Sequence, residues 1–219
     1  MKTRSGIDCI EDRTAHKVVT TGCGQGTVFG GLIDEIESID LPEACITQAQ
    51  LYVILNAIRL QESTYKSAGS VHSCALFRGE EMVLFVEDVG RHNAIDTIAG
   101  WMWLQQTNTA DNGRLPIPEV ARAASPVFYT TGRLTSEMII KSAQMGVSIV
   151  ISRSGITQMG YEIAQRLGLC SIGRATNKYF LCYSAAHRLR LQPELADSGR
   201  PSPADGTFSH PRRFASLAR

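Results

Sequence analysis

Apolar residues recur every three or four positions after Thr47, at Leu51, Ile54, Leu55 and Ile58. That spacing lays them along one face of a helix running to about Glu62. Ser63 to Ser70 is polar and contains Gly69, and it reads as a break. Two short apolar runs follow, His72 to Phe77 and Met82 to Val86, separated by Arg78-Gly79-Glu80-Glu81; the pattern is that of a hairpin. Ile95, Ile98 and Met102 mark a helix from Arg91 to about Gln105, on which Trp101 and Trp103 cannot share a face. Asn108 to Pro118 reads as a loop, and Glu119 to Ala124 is compatible with one helical turn. Ahead of these elements, Lys17 to Thr21 reads as a short strand and Phe29 to Leu41 as irregular chain.

The last third alternates between the two periodicities. Strands are expected at Val127–Thr130, Val147–Ser152, Cys170–Gly173 and Phe180–Tyr183, and helices at Thr135–Met145 and Thr157–Leu167. Gly146 and Gly168 stand where helix C-caps favour glycine. Strands alternating with helices of this length imply βαβ units, hence an α/β fold with a largely parallel sheet and helices on both faces. From Gln192 to Arg219 the chain holds four of its eight prolines and few large apolar residues. This reads as a disordered tail, 191–219, after a single domain, 1–190.

Composition narrows the function classes. The net charge of +1 offers no global field for DNA, RNA or an acidic membrane as main partner. No apolar run approaches the roughly 18 residues of a membrane span. Met1 to Asp8 lacks the apolar stretch of a secretory signal, which points to the cytoplasm. The six cysteines are dispersed without a C-x-x-C pair, so free thiols are expected in a reducing compartment. Cys74 and Cys182 lie in apolar runs and Cys170 adjoins one, the setting of small buried hydrophobes.

Cys23 has different neighbours. In Thr20-Thr21-Gly22-Cys23-Gly24-Gln25-Gly26, three glycines strip bulk from around the thiol and let a large reactant approach. The spacing after Gly26 does not complete a dinucleotide fingerprint. Farther on, four expected strand ends each carry a glycine and an arginine: Gly90 with Arg91, Gly132 with Arg133, Gly155 with Arg153, and Gly173 with Arg174. Carboxyl ends of strands in such sheets form the ligand edge, and helix N-termini there favour anions, so a phosphate-rich, extended ligand is implied. The densest group is Glu87-Asp88-Val89-Gly90-Arg91-His92-Asn93, with Asp96 one helical turn beyond His92. A carboxylate beside His92 would favour its charged form; helix capping by Asp88 is the plainer alternative. His72-Ser73-Cys74 has a cysteine where a zinc deaminase has its glutamate, and no P-C-x-x-C follows, which argues against that enzyme class.

These motifs together resemble the formate dehydrogenase accessory sulfurtransferase family, FdhD. The resemblance rests on Thr21-Gly22-Cys23-Gly24, Gly69 to Leu76, Glu87 to Asp96, Thr131 to Met138 and Ser152-Arg153-Ser154, in order across about Lys17 to Leu189. It implies a cytidine-deaminase-like three-layer α/β/α sandwich with a mixed, largely parallel sheet, without the zinc chemistry, and usually a homodimer. It further implies a sulfurtransferase that accepts persulfide sulfur from a cysteine desulfurase. The acceptor would be the bis-molybdopterin guanine dinucleotide form of molybdenum cofactor, bound as substrate and destined for the formate dehydrogenase catalytic subunit, with no metal bound by the protein itself.

By the same resemblance Cys23 corresponds to the sulfur-carrying cysteine, and the cofactor loop to Ala175-Thr176-Asn177-Lys178-Tyr179-Phe180. Glu87, Asp88, Gly90, Arg91, His92 and Asn93, with Arg133, Ser152 and Arg153, would shape the cofactor cleft. Three features depart from the family pattern. Gly26 stands where C-G-x-C-G has its second cysteine. Members usually carry about a hundred residues, a small domain's worth, ahead of this loop. Asn177-Lys178-Tyr179 replaces a Gly-Arg turn. A cofactor-binding chaperone that does not transfer sulfur is therefore the alternative expectation, with a metal-dependent deaminase the third.

Overall fold

The protein is described by a computed structural model over residues 38–107, 124–176 and 179–197. The expected strand Lys17–Thr21, the glycine-rich loop with Cys23, residues 108–123, Asn177, Lys178 and residues 198–219 lie outside the described residues.

Strand β1 (Ile46–Thr47) leads into helix α1 (Gln48–Leu60). The helix starts at Thr47 because Thr47 Oγ1 accepts from the Gln50 amide at 3.1 Å while Gln50 Oε1 accepts from the Thr47 amide at 3.0 Å, a reciprocal capping box. The segment read as a polar break contains one further helical turn, α2 (Thr64–Ala68), none of whose residues is buried. The hairpin comprises β2 (His72–Arg78) and β3 (Glu81–Asp88), and α3 (Arg91–Thr107) follows. The alternating region comprises β4 (Pro126–Thr130), α4 (Ser136–Gln144), β5 (Ile149–Ser152), α5 (Gln158–Arg166) and β6 (Cys170–Thr176). Gly146 and Gly168 take φ of +71° and +61° after α4 and α5, the left-handed conformation that glycine enters without a Cβ clash.

β7 (Tyr179–Ser184) turns back along β6. A 3-10 turn (Ala186–Arg188) then leads to β8 (Leu189–Arg190), which pairs in parallel with β1. Residues 191–197 include helical turn α6 (Pro193–Asp197). They are tied back to α1: the Gln192 amide donates to Gln48 Oε1, and Gln192 Oε1 accepts from the Ala49 amide.

The main sheet has the order β3-β2-β4-β5-β6-β7. β4, β5 and β6 run parallel, while β2–β3, β2–β4 and β6–β7 are antiparallel. The fold is mixed α/β. Because side chains alternate across a strand, the sheet feeds two cores. Ala75, Phe77, Tyr129, Ile151 and Ile172 pack with Leu51, Ile54 and Leu55 of α1. Cys74, Leu76, Phe128 and Val150 pack on the other face with Ile95 and Ile98 of α3, Met138 and Ile139 of α4 and Ala164 of α5. β3, β4, β5 and β6 all end at one edge of this sheet, which is where the arginine-bearing turns meet.

Candidate functional site

The turns after β4, β5 and β6 are sewn into one surface by short polar side chains. Ser152 Oγ donates to the Gly132 carbonyl at 2.6 Å and accepts from the Ser154 amide at 2.9 Å. Ser154 Oγ donates to the Thr131 carbonyl at 2.8 Å, and the Arg174 amide donates to the Ser154 carbonyl at 2.8 Å. On the β2 side, the Ser73 amide donates to Thr131 Oγ1 at 3.0 Å. Gly173 is required by close approach, since a Cβ there would lie 2.5 Å from the Tyr183 ring and 2.8 Å from the Ser154 carbonyl.

On the α1 face of this edge lies a cavity of about 290 Å³. Tyr129, Thr131, Arg153, Ala175 and Thr176 line it from the strand ends, and Ser73 and Phe85 from the hairpin. Leu55, Ile58 and Arg59 at the end of α1 close it together with Ser63, Tyr65 and Lys66. Arg153 is exposed and its Cζ lies 5.9 Å from the Tyr65 ring centroid, within cation–π reach. Among the described residues no carboxylate forms a salt bridge with it. Lys66, by contrast, spends its ammonium on the carbonyls of Arg59, at 2.6 Å, and Gln61. Burial pushes the Tyr129 phenol up to about 12, with Arg153 pulling the other way, so at neutral pH Tyr129 is a protonated donor. The cavity thus combines a cation, hydroxyl donors and aromatic walls, the complement of an anionic ligand with a planar part.

The Glu87-to-Asn93 group does not converge on one point. Neighbouring strand residues face opposite sides of the sheet, so Glu87 points to the α1 face with Ser73, and Asp88 to the α3 face with His72. The Glu87 carboxylate accepts from the Thr64 amide (2.8 Å), the Tyr65 amide (3.0 Å) and Ser73 Oγ (2.8 Å). Burial works to raise its pKa, but these hydrogen bonds prevail and hold it below the ordinary value. Asp88 Oδ1 accepts from the Gly90 amide at 2.7 Å and Asn93 Nδ2 at 3.0 Å, closing the turn that starts α3. Arg91 packs along Gly132, where a Cβ would lie 3.1 Å from Arg91 Cδ.

The carboxylate nearest His92 comes from α4: His92 Nδ1 lies 3.3 Å from Glu137 Oε2, while Asp96 pairs with Lys141 at 2.8 Å. Nor does this carboxylate's pull toward the charged ring prevail. Burial lowers the His92 pKa, Glu137 opposes it, and Arg91 and Lys141 reinforce the lowering. His72 is lowered by burial and by Arg91. Among the described residues, the buried atoms His72 Nδ1, Arg91 Nε and His92 Nδ1 have no hydrogen-bond partner, so the α3 face carries a second, separate group of nitrogen-bearing side chains.

Of the residues expected from the sequence, Arg153, Ala175 and Thr176 meet at the cavity. Ser152 acts behind it, as the tie between turns. Arg133 is exposed beside Gly132, Tyr179 is 81% exposed, and Phe180 packs edge-on to Tyr52 with ring centroids 6.3 Å apart. Cys23, Asn177 and Lys178 lie outside the described residues. Tyr65, Lys66 and Tyr129 line the cavity with no motif marking them, and Ser73 and Thr131 line it from motifs in which neither was expected as a site residue. Thr131 had a signal in its place before Gly132-Arg133, whereas Tyr65 sits in a segment with no apolar periodicity. Among the described residues no group of three or more His, Cys, Asp or Glu could hold a metal ion, and no helix is long and apolar enough to cross a membrane.

A sequence model of the FdhD/NarQ family matches residues 1–190. The chain is 29% identical over 181 residues to the sulfur carrier protein FdhD of Bacillus subtilis strain 168, covering 80% of this chain and 62% of that one. It is 29% identical over 184 residues to the sulfur carrier protein FdhD of Nocardia farcinica, covering 81% and 61%. It therefore spans roughly three fifths of the length of the curated relatives it matches. A solved structure from Desulfotalea psychrophila, described as that of a formate dehydrogenase accessory protein, matches with a TM-score of 0.57 at 26% identity, over 68% of this chain and 61% of that one.

Proposed function

The chain belongs to the FdhD/NarQ family, and from that premise we propose that it is a sulfur carrier serving formate dehydrogenase maturation. In this reading the Cys23 thiolate attacks the terminal sulfur of a cysteine desulfurase persulfide. The S–S bond of the donor breaks, its cysteine leaves as thiolate, and Cys23 holds the sulfur as a persulfide. The acceptor is the bis-molybdopterin guanine dinucleotide cofactor. A thiol flanked by Gly22 and Gly24 suits such a handover, because little stands between the sulfur and a bulky partner.

The observation that carries the proposal is the cavity at the carboxyl ends of β4, β5 and β6, where Arg153 lies over Tyr65 with no carboxylate partner among the described residues. Its volume of about 290 Å³ lies just below the range of small-molecule sites, roughly 300–1,000 Å³. It suits one nucleotide arm of the cofactor, with Arg153 on a phosphate and the aromatic walls on the base. The protein would act in the cytoplasm.

The test combines two measurements on the whole protein. With a cysteine desulfurase and 34S-labelled cysteine, mass spectrometry should find a labelled sulfur adduct on Cys23 that is absent in Cys23→Ala. Guanosine diphosphate, titrated calorimetrically, should bind the wild type and bind Arg153→Ala more weakly. Nucleotide binding without any adduct on Cys23 would favour a cofactor-binding chaperone, the reading that Gly26 in place of a second cysteine supports.

A further inference from the structure

α2 has little to hold it in place. It has five residues and buries none of them, whereas isolated helices shorter than about 12 residues are marginal even with favourable sequences. Its own ends supply a cap from Ser63 Oγ to the Lys66 amide at 3.3 Å and a left-handed Gly69 whose amide donates to the Tyr65 carbonyl at 3.0 Å. Beyond that it is docked by polar tethers at two points. Lys66 reaches the carbonyl of Arg59 in the last turn of α1 and that of Gln61 just past it. Glu87, 22 residues on in sequence, accepts from the first two amides of α2, donors that a helix leaves unsatisfied. Ser73 Oγ, donating to the same Glu87 oxygen as the Tyr65 amide, fixes the carboxylate from the sheet side. The second residue of α2 is Tyr65, the ring over which Arg153 lies.

We propose that Glu87 is a positioning residue for the cavity: it touches no ligand, but docks the first turn of α2 onto the sheet and so builds the Tyr65 wall against which Arg153 is set. Its consequence for binding rests on the reading of the cavity as a nucleotide site, while the docking itself does not. Two charge-assisted hydrogen bonds to backbone amides, joined by one from the Thr64 side chain, link α2 to β3, and each is worth more than a neutral one. The carboxylate keeps its charge throughout the neutral range. Because its folded-state pKa is depressed, its contribution is present above the ordinary carboxylate value and is lost as pH falls through the folded one.

Amide hydrogen exchange on the full chain, paired with calorimetric titration of guanosine diphosphate, tests this in wild type, Glu87→Gln and Glu87→Asp. The glutamine loses the charge, and the aspartate keeps it but is one methylene too short to reach both amides. In both variants the Thr64 and Tyr65 amides should exchange at least about tenfold faster, with β4, β5 and β6 as protected as before and nucleotide binding weakened. Acidification should release α2 and weaken nucleotide binding together in the wild type, and Glu87→Gln should lack that acid limb, whereas a glutamate serving stability alone would leave binding unmoved. Tyr65→Ala should weaken binding while the Thr64 amide stays protected. Should Glu87→Gln fail to fold, Ser73→Ala removes one donor to the same carboxylate and should shift exchange the same way, by less. Wild-type protection of both amides in the variants, or faster exchange with unchanged nucleotide binding, would overturn the proposal. Failure of the wild type to bind the nucleotide would instead remove the nucleotide reading, and the exchange arm would still decide the docking.

Discussion

At the scale of single residues, the functional content of an arginine or a cysteine here depends on what its side chain meets. Arg153 is exposed and free of salt bridges among the described residues, so Arg153→Ala should leave the melting temperature within about a degree, as surface substitutions usually do. It should also weaken guanosine diphosphate binding about tenfold, the loss expected for one charge-assisted contact to phosphate. Calorimetry and a thermal melt on the same sample check both halves.

The cysteines separate in the same way. Cys182 is half-buried, beside the Cys170 thiol and donating to the Ser184 carbonyl at 3.5 Å. The hydrogen bond from Cys170 lowers its pKa to about 7 against the opposing effect of burial. Cys170 moves up, through that same hydrogen bond and through burial. Alkylation followed by peptide mapping should therefore show Cys182 reacting with a midpoint near pH 7, while buried Cys74 and Cys170 stay unmodified until the chain unfolds. The apolar run around Cys182 reads as ordinary burial, and only the neighbouring strand supplies the thiol that changes its chemistry.

At the scale of elements, the clearest legibility is in α1, the hairpin and the β4–β6 alternation, all of which follow from local period and local caps. Thr47 and Gln50 form their capping box three residues apart, and Gly146 and Gly168 end helices by their own conformation. α2 is the opposite case: Thr64–Ala68 has no buried face, so no periodicity announces it, and its anchor Glu87 lies on another strand. The turns at the ligand edge depend on tight spacing between elements. A methyl group at position 173 would enter the Tyr183 ring and crowd the Ser154 carbonyl, so Gly173→Ala should destabilise the fold by about 1–3 kcal/mol, as overpacking does. Denaturant unfolding should show the midpoint falling, with nucleotide binding reduced in the same variant because Ala175 and Thr176 shift with β6.

At the scale of the whole molecule, buried titratable groups set the pH range in which the fold is stable. Burial raises the Cys74 thiol to about 12 from an ordinary 9.0, partly offset by its hydrogen bond to Thr130. The folded state therefore keeps a proton that the unfolded chain gives up, and stability should fall as pH rises from about 9 toward 12. The full loss is on the order of 4 kcal/mol for this group, with Tyr129 adding to it at the top of the range. On the acid side, His72 and His92 have lowered values, so the unfolded chain takes up protons first and stability declines as pH drops below about 6.5. Melting temperatures across pH 5 to 11 should show a plateau between about 7 and 9, and Cys74→Ala should flatten the alkaline limb.

What the sequence determined by itself was local or cumulative: the helices with a clean apolar face, the hairpin, the βαβ alternation, the glycine caps and the ordered set of motifs that marks the family. These signals are carried by residues a few positions apart, where the backbone's own geometry dictates the outcome. Tertiary structure decided how those motifs combine. Inserting β2 between β3 and β4 brings the arginines that follow β3, β4 and β5, and Arg174 near the end of β6, to one edge, but strand alternation divides them. Arg153 joins Tyr65 and Thr131 on the α1 face, while Arg91 and His92 open α3 on the other. Adjacent residues Glu87 and Asp88 thus take unrelated tasks on opposite sides of the sheet, one docking a helix 22 residues back and the other capping the next. Proximity in sequence predicts shared chemistry along one face of a helix, but at the end of a strand it separates neighbours, and only the fold shows what each of them meets.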